Sequence, residues 1–328
     1  MKFWKLHGIG NDFIAIDGRF DGIDSNEYSK LASTVCHRKF SVGADGLLVV
    51  KNSDVADVEM VYYNSDGSRA HMCGNGIRCF SKFAYENKIV EKDEFEVYTL
   101  DGIKKISLNI VDNKINTIKV DMGKGSFLAE DVPVKTYYEK FITIESSKNE
   151  SDKISNDSLK NESNKISNDS LKNESDKIAS ESLKNNSKEE FFIEQEVQVL
   201  DKKFKMSSIL MGVPHTIIFV DEFIMEDILK YGSAIEKHSI FPEKTNVNFV
   251  KVIDKNNIEV RTFERGCGYT FGCGTGMTAS AMICKYLGKT TDSVNVSSEG
   301  GTVTIDITDE NAFMTGPAIK ICEGILEL

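Results

Sequence analysis

No stretch of this chain approaches the roughly 18 consecutive apolar residues that a membrane-spanning helix needs. The opening MKFWKLHGIGNDF lacks the apolar core and small-residue cleavage site of a secretory leader. Basic charge is also in deficit: 40 lysines and arginines face 51 aspartates and glutamates, for a formal charge of −11. A nucleic-acid or anionic-membrane surface is therefore a poor main partner. No two cysteines stand at the two-residue gap of a zinc knuckle, and their number is odd, seven. That argues against structural zinc and against a disulfide framework in a reducing compartment. A cytoplasmic protein without a metal site is the expectation.

What is present is a chain of 328 residues, 40% of them hydrophobic, which can bury two ordinary cores. From Ser146 to Glu190 the composition turns to Ser, Asn, Lys, Glu and Asp, and a twelve-residue unit recurs as SDKISNDSLKNE, SNKISNDSLKNE and SDKIASESLKNN. Each copy offers one Ile and one Leu, and a twelve-residue step turns a helical face by about 120°. No continuous apolar stripe forms, so the tract cannot offset its ordering entropy. It reads as a solvated insertion in a surface loop and not as a domain.

A different kind of repeat lies outside that tract. Residues 58–84 laid over residues 258–284 match without a gap, VEMVYYNSDG on IEVRTFERGC and CGNGIRCFSKFA on CGTGMTASAMIC. Each copy opens with a strand-like run, Val58 to Tyr63 or Ile258 to Phe263, rich in β-branched and aromatic residues. A nine-residue polar loop follows, then Cys-Gly-x-Gly. Apolar side chains then return at helical spacing, at Ile77, Phe80 and Ala84 and at Met277, Ala281 and Cys284. The pattern predicts two α/β halves, each placing one cysteine, Cys73 or Cys273, at a helix start. Cys36, Cys79, Cys284 and Cys322 read instead as small buried hydrophobes.

A cysteine at a helix N-terminus sits at the positive end of the helix dipole, which lowers its pKa from about 8.5 into the range of roughly 3.5–7.5. The glycines beside it, Gly74 and Gly274, let a ligand carboxylate reach the free first-turn amides. Two such helix starts facing one another would bind one carboxylate and leave a thiol on each face of the adjacent carbon. Inverting a stereocentre needs that arrangement, with a thiolate removing a proton and a thiol delivering one. Asn64 and Glu264 fall at equivalent places in the repeat, and Arg265 follows at once. The pair Glu264 and Arg265 offers a partner for an ammonium group and a guanidinium for a second carboxylate.

These residues resemble the diaminopimelate epimerases, cofactor-independent enzymes that convert LL- to meso-2,6-diaminopimelate in lysine and cell-wall precursor synthesis. The resemblance covers nearly the whole chain apart from the repeat tract. It rests on HGIGNDF, SVGADG, NSDGSRAHMCGNGIRC, MGVPH, TNVNF, ERGCGYTFGCGTG and the closing MTGPA. It implies that Cys73 and Cys273 are the catalytic pair, that no cofactor is needed, and that His215 and Glu264 belong to the catalytic set. It implies substrate binding by Asn11, Asn64, Gly74, Asn75, Asn246, Glu264, Arg265, Gly274 and Thr275. It further implies a homodimer and a fold of two pseudo-symmetric domains, each a β-structure wrapped around a central helix, with the active site in the cleft between them. The expected division is residues 1–120 with 319–328, and residues 121–318. Two positions depart from the family pattern: Val213 replaces an asparagine before Pro-His, and Gly46 stands where a glutamine is common. A proline-type epimerase of the same fold, and a ligand-binding protein using the two cysteines as a redox switch, are the competing readings.

Overall fold

A computed structural model describes residues 1–20, 23–134, 191–309 and 311–327; the tract expected at 146–190 lies outside them. The first half of the chain runs β1 (Lys2–Gly8), β2 (Asn11–Asp17), α1 (Ser25–Val35), β3 (Gly46–Lys51), β4 (Val58–Asn64), β5 (Arg69–Ala70), α2 (Gly74–Glu86), β6 (Glu94–Thr99), β7 (Gly102–Val111) and β8 (Lys114–Gly123). After β9 (Gln195–Val199) the same order returns. It runs β10 (Lys202–Met211), β11 (Val213–Phe219), α3 (Met225–Glu236), β12 (Asn246–Asp254), β13 (Asn257–Glu264), β14 (Gly268–Thr270), α4 (Gly274–Tyr286), β15 (Ser293–Ser298), β16 (Gly301–Ile307) and β17 (Ala312–Gly316).

The pairings repeat with the elements. β2 and β3 run parallel with Phe13 beside Gly46, as β11 and β12 do with His215 beside Asn246. β3 and β4 pair antiparallel with Leu48 beside Tyr62, as β12 and β13 do with Asn248 beside Thr262. β9 flanks β10, and its counterpart in the first half is β18 (Ile319–Ile325), which returns from the chain end to flank β1. β8 pairs with β17 and joins the two halves.

Alternation along the central strands explains the layers. In β2, Phe13 and Ala15 enter the cluster around α2, whereas Ile14 and Ile16 enter the cluster under α1. Leu48 and Val50 of β3 do the same against Leu47 and Val49. A strand covered on both faces must be apolar at every position, which is why these runs show no polar face. The strands of each half thus wrap a central helix, α2 or α4, and carry α1 or α3 on their outside. Ile77 and Phe80 of α2 and Met277 and Ile283 of α4 are fully buried, each worth roughly 1.5–3 kcal/mol of burial.

The structure corrects three expectations. The polar loops before the cysteines each contain a short strand, β5 or β14, hairpinned onto β4 or β13. Cys322, expected in the core, is exposed on β18, a strand with a neighbour on one side only. The strand runs extend slightly further, to Asn64 and Glu264.

Candidate active site

Both cysteines serve as N-caps with extended backbone, φ −131° and ψ 124° at Cys73 and φ −108° and ψ 112° at Cys273. Glycine at the first and third helical positions keeps each opening turn bare, and large apolar side chains begin only at Ile77 and Met277. The two bare turns meet head to head. A methyl group placed on Gly274 would lie 3.3 Å from the Gly74 Cα, and one on Gly74 would lie 3.6 Å from the Gly274 Cα. The first turns of both helices, whose opening amides have no intrahelical partner, therefore lie against one another with their positive dipole ends close together.

Cys73 donates its thiol hydrogen to Asn11 Oδ1 at 3.3 Å and accepts from the Gly76 amide at 3.5 Å. Asn11 is oriented by Asp45, whose Oδ2 takes the Asn11 Nδ2 at 2.6 Å and the Asp12 amide at 3.1 Å. Arg38 binds the other Asp45 oxygen at 2.6 Å. Cys273 Sγ lies 3.4 Å from Thr275 Oγ1, and the negative charge of the Glu264 carboxylate acts on it.

The expected fall in thiol pKa is not what the site produces. Burial pushes Cys73 up to about 11 against the opposing pull of the Gly76 amide. Burial raises Cys273 well above its ordinary value, and the Glu264 carboxylate adds to the rise. The helix start acts in the anticipated direction, but taking a thiolate out of water costs more than a few amides return. Glu264, the last residue of β13, is itself pushed up by burial while Thr270 Oγ1 donates to it at 2.5 Å.

The remaining expected residues gather around this point from several strand ends. Asn246 opens β12, accepts the Arg265 amide on Oδ1 at 2.9 Å and donates to the Pro214 carbonyl at 3.1 Å. The Arg265 guanidinium donates to the Glu243 carbonyl at 3.0 Å. It forms no ion pair with a carboxylate among the described residues. Asn75 is fully buried and commits its side chain internally, donating to the Gly272 carbonyl at 2.9 Å and accepting from Arg78 at 2.9 Å. Any ligand contact by Asn75 thus falls to its backbone. Asn64 donates to Ser68 Oγ at 3.0 Å within its own turn, and the next residue, Ser65, bonds the Asp45 carbonyl at 3.1 Å.

His215 lies in β11, fully buried, with Nδ1 3.2 Å from Asn248 Nδ2. Burial lowers its pKa to about 3, with Arg265 contributing, so the ring is neutral at pH 7. Gly46 has a structural reason to stay small: a side chain there would begin 2.5 Å from the Tyr62 ring and 2.7 Å from the Tyr63 carbonyl. Val213 is the first residue of β11. Four residues of the site escaped the reading of the sequence: Asp45, Arg78, Asn248 and Thr262. Asn248 carried a usable signal, since it lies two residues beyond Asn246 in a strand and so on the same face.

The fold is shared with racemases and related proteins. A probable proline racemase from Agrobacterium radiobacter K84 superposes with a TM-score of 0.64 at 12% identity, covering 100% of this chain and 93% of that one. A phenazine biosynthesis protein of the PhzF family from Bacillus anthracis superposes with a TM-score of 0.62 at 16% identity, covering 100% and 99%. Fold and paired cysteine-capped helices together define a two-domain α/β protein of the racemase-like fold, with one cysteine-capped helix in each half. Sequence narrows the class. The family model for diaminopimelate epimerase matches residues 3–128 and 207–321. Proteins named diaminopimelate epimerase from Clostridium perfringens (strain 13 / Type A) and Alkaliphilus metalliredigens (strain QYMF) are 40% and 39% identical, covering 99% of this chain and 98% and 97% of theirs. The chain belongs to the diaminopimelate epimerase family.

Proposed function

We propose that this protein epimerises LL-2,6-diaminopimelate to the meso form in the cytoplasm, as a step of lysine and cell-wall precursor synthesis, with Cys73 and Cys273 as the two acid/base groups. The observation that carries the reading is the head-to-head meeting of two cysteine-capped helices at Gly74 and Gly274. The carboxylate beside the reacting carbon is received by the backbone amides at Gly74, Asn75, Gly274 and Thr275. Asn11, Asn64 and Asn246 line the approach, Glu264 takes the ammonium group, and the Arg265 guanidinium, which has no carboxylate partner among the described residues, takes the distal carboxylate. One sulfur removes the α-proton while the other delivers a proton to the opposite face.

Raised thiol pKa values fit this scheme when the substrate's own charge is counted. An ammonium group against Glu264 offsets the negative charge that helps to hold Cys273 up, so the substrate favours formation of the thiolate that will attack it. A proline-type substrate would leave Arg265 without a carboxylate partner. The two-domain division, residues 1–120 with 319–328 and residues 121–318, belongs to the same proposal and is supported by the pairing of β18 with β1. The test is direct: supplied with LL-diaminopimelate, the purified protein produces the meso form. Turnover of L-proline with none of diaminopimelate would overturn the assignment.

A further inference from the structure

We propose that Asn248 is a positioning residue that locks His215 in the neutral tautomer with its proton on Nε2, so that His215 meets the ligand as a hydrogen-bond donor and not as a base. The inference rests on the epimerase reading above for its ligand, but its geometry stands alone.

The orientation of the Asn248 amide is fixed from two sides. Its Nδ2 lies 3.4 Å from the Thr216 carbonyl, which can only accept, and its Oδ1 accepts from Thr262 Oγ1 at 3.0 Å. The NH2 group therefore faces the Thr216 carbonyl and, at 3.2 Å, His215 Nδ1. A ring nitrogen that accepts a hydrogen bond carries no proton, so in a neutral imidazole the proton sits on Nε2. That Nε2 is buried and has no hydrogen-bond partner among the described residues. A buried donor without a partner is uncommon and calls for an explanation. An acceptor atom brought by the ligand supplies one.

The other half of the molecule makes the arrangement conspicuous. The matched registers put Phe13, Leu48 and Tyr62 in the places that His215, Asn248 and Thr262 occupy. Phe13, Leu48 and Tyr62 all belong to the apolar cluster around α2. The fold closes at these positions without a polar atom from the first two, so packing alone does not demand a buried histidine held by a buried amide. Asn248 is also in close touch with the helix of Cys273, its Oδ1 lying against the place where a Cβ on Gly276 would stand. The locked imidazole and the start of α4 are held by one side chain.

The test is nitrogen-15 NMR of histidine-labelled protein at pH 7, with the His215 signals assigned by their loss in His215→Gln. In the unaltered protein Nδ1 should show the shift of an unprotonated nitrogen and Nε2 that of a protonated one. The opposite tautomer, or an imidazolium, would overturn the proposal without any reference to activity. Asn248→Leu should release the lock, and Asn248→Asp should draw the proton to Nδ1. Either variant should also lower kcat by roughly tenfold to a hundredfold, as loss of an orienting partner does elsewhere, with a smaller change in KM. If both folded variants keep the Nε2 proton unmixed, Asn248 is not the lock. If the tautomer shifts as predicted in a protein inactive toward diaminopimelate, the lock stands and the substrate assignment fails.

Discussion

The two halves share a backbone plan but differ where each helix begins. In the first half Arg78 is fully buried with no carboxylate partner among the described residues, and it binds the Gly74 carbonyl at 3.0 Å, Asn75 Oδ1 at 2.9 Å and the Pro317 carbonyl at 3.2 Å. In the second half Thr278 occupies the matched position and binds the matched Gly274 carbonyl at 2.9 Å with a single hydroxyl. Gly76 rests on the Phe13 ring and the Cys73 Cβ, each 3.4 Å from where a side chain would start, whereas Gly276 rests on the Asn248 amide oxygen. The repeated helix start is thus supported by a buried cation in one half and by a buried network of neutral polar groups in the other. Duplication preserved the placement of the thiols while the means of holding them diverged.

The comparison can be broken first at the sulfurs. Cys73→Ala and Cys273→Ala should each reduce turnover by about 10²–10⁴-fold, the usual worth of a general acid or base, despite the different surroundings. Full activity in either variant would make the halves unequal in chemistry as well as in packing. At the next level, Arg78→Met should destabilise strongly, because it leaves Asn75 Oδ1 and the Pro317 carbonyl without this donor at about 1–3 kcal/mol each. Thr278→Val should cost below about 1 kcal/mol, since the Gly274 carbonyl keeps its helical amide. Denaturant midpoints of the two variants decide this.

The glycines give a smaller and cleaner contrast. A methyl on Gly76 makes ordinary contacts, and alanine favours a helix over glycine by about 0.8–1.0 kcal/mol, so Gly76→Ala should hold or raise the melting temperature. Gly276→Ala forces the Asn248 oxygen aside and should destabilise by about 1–3 kcal/mol. Equal effects would show that the buried amide yields freely.

Two pH profiles sharpen the picture further. His215 ionises at about 3 in the folded protein against 6.5 ordinarily, so the unfolded chain binds more protons between those values. Its contribution is fully present above pH 6.5 and is lost as pH falls toward 3, at up to about 1.4 kcal/mol per unit. In His215→Gln the stability curve should be flatter from pH 6.5 to 4. Because burial raises both thiols, kcat/KM should climb as pH goes from 6 to 8. A flat profile would mean that a thiolate already exists in the free protein.

Much of this was legible in the chain. The gapless match around the two Cys-Gly-x-Gly motifs predicted paired strands and helices because periodicity survives in runs of six or more residues. β5 and β14, of two and three residues, are too short to hold a period. Arg78 was not legible as a core residue, since a charged side chain on a helix ordinarily marks the solvated face. Cys322 misled in the opposite sense, because exposure on β18 depends on which strand lies beside it. The direction of the thiol shifts also lay beyond sequence: the helix start can be read from spacing, whereas the desolvation that outweighs it depends on both halves closing over the site.

The central claim is that two sulfurs act on opposite faces of one carbon. Following the first turnovers of LL-diaminopimelate in heavy water by proton NMR tests it most directly. The account predicts that each meso molecule formed carries one deuteron from solvent at the inverted carbon while unreacted substrate keeps its proton. Product that retains the substrate's own proton would point to a single base and contradict the two-thiol site.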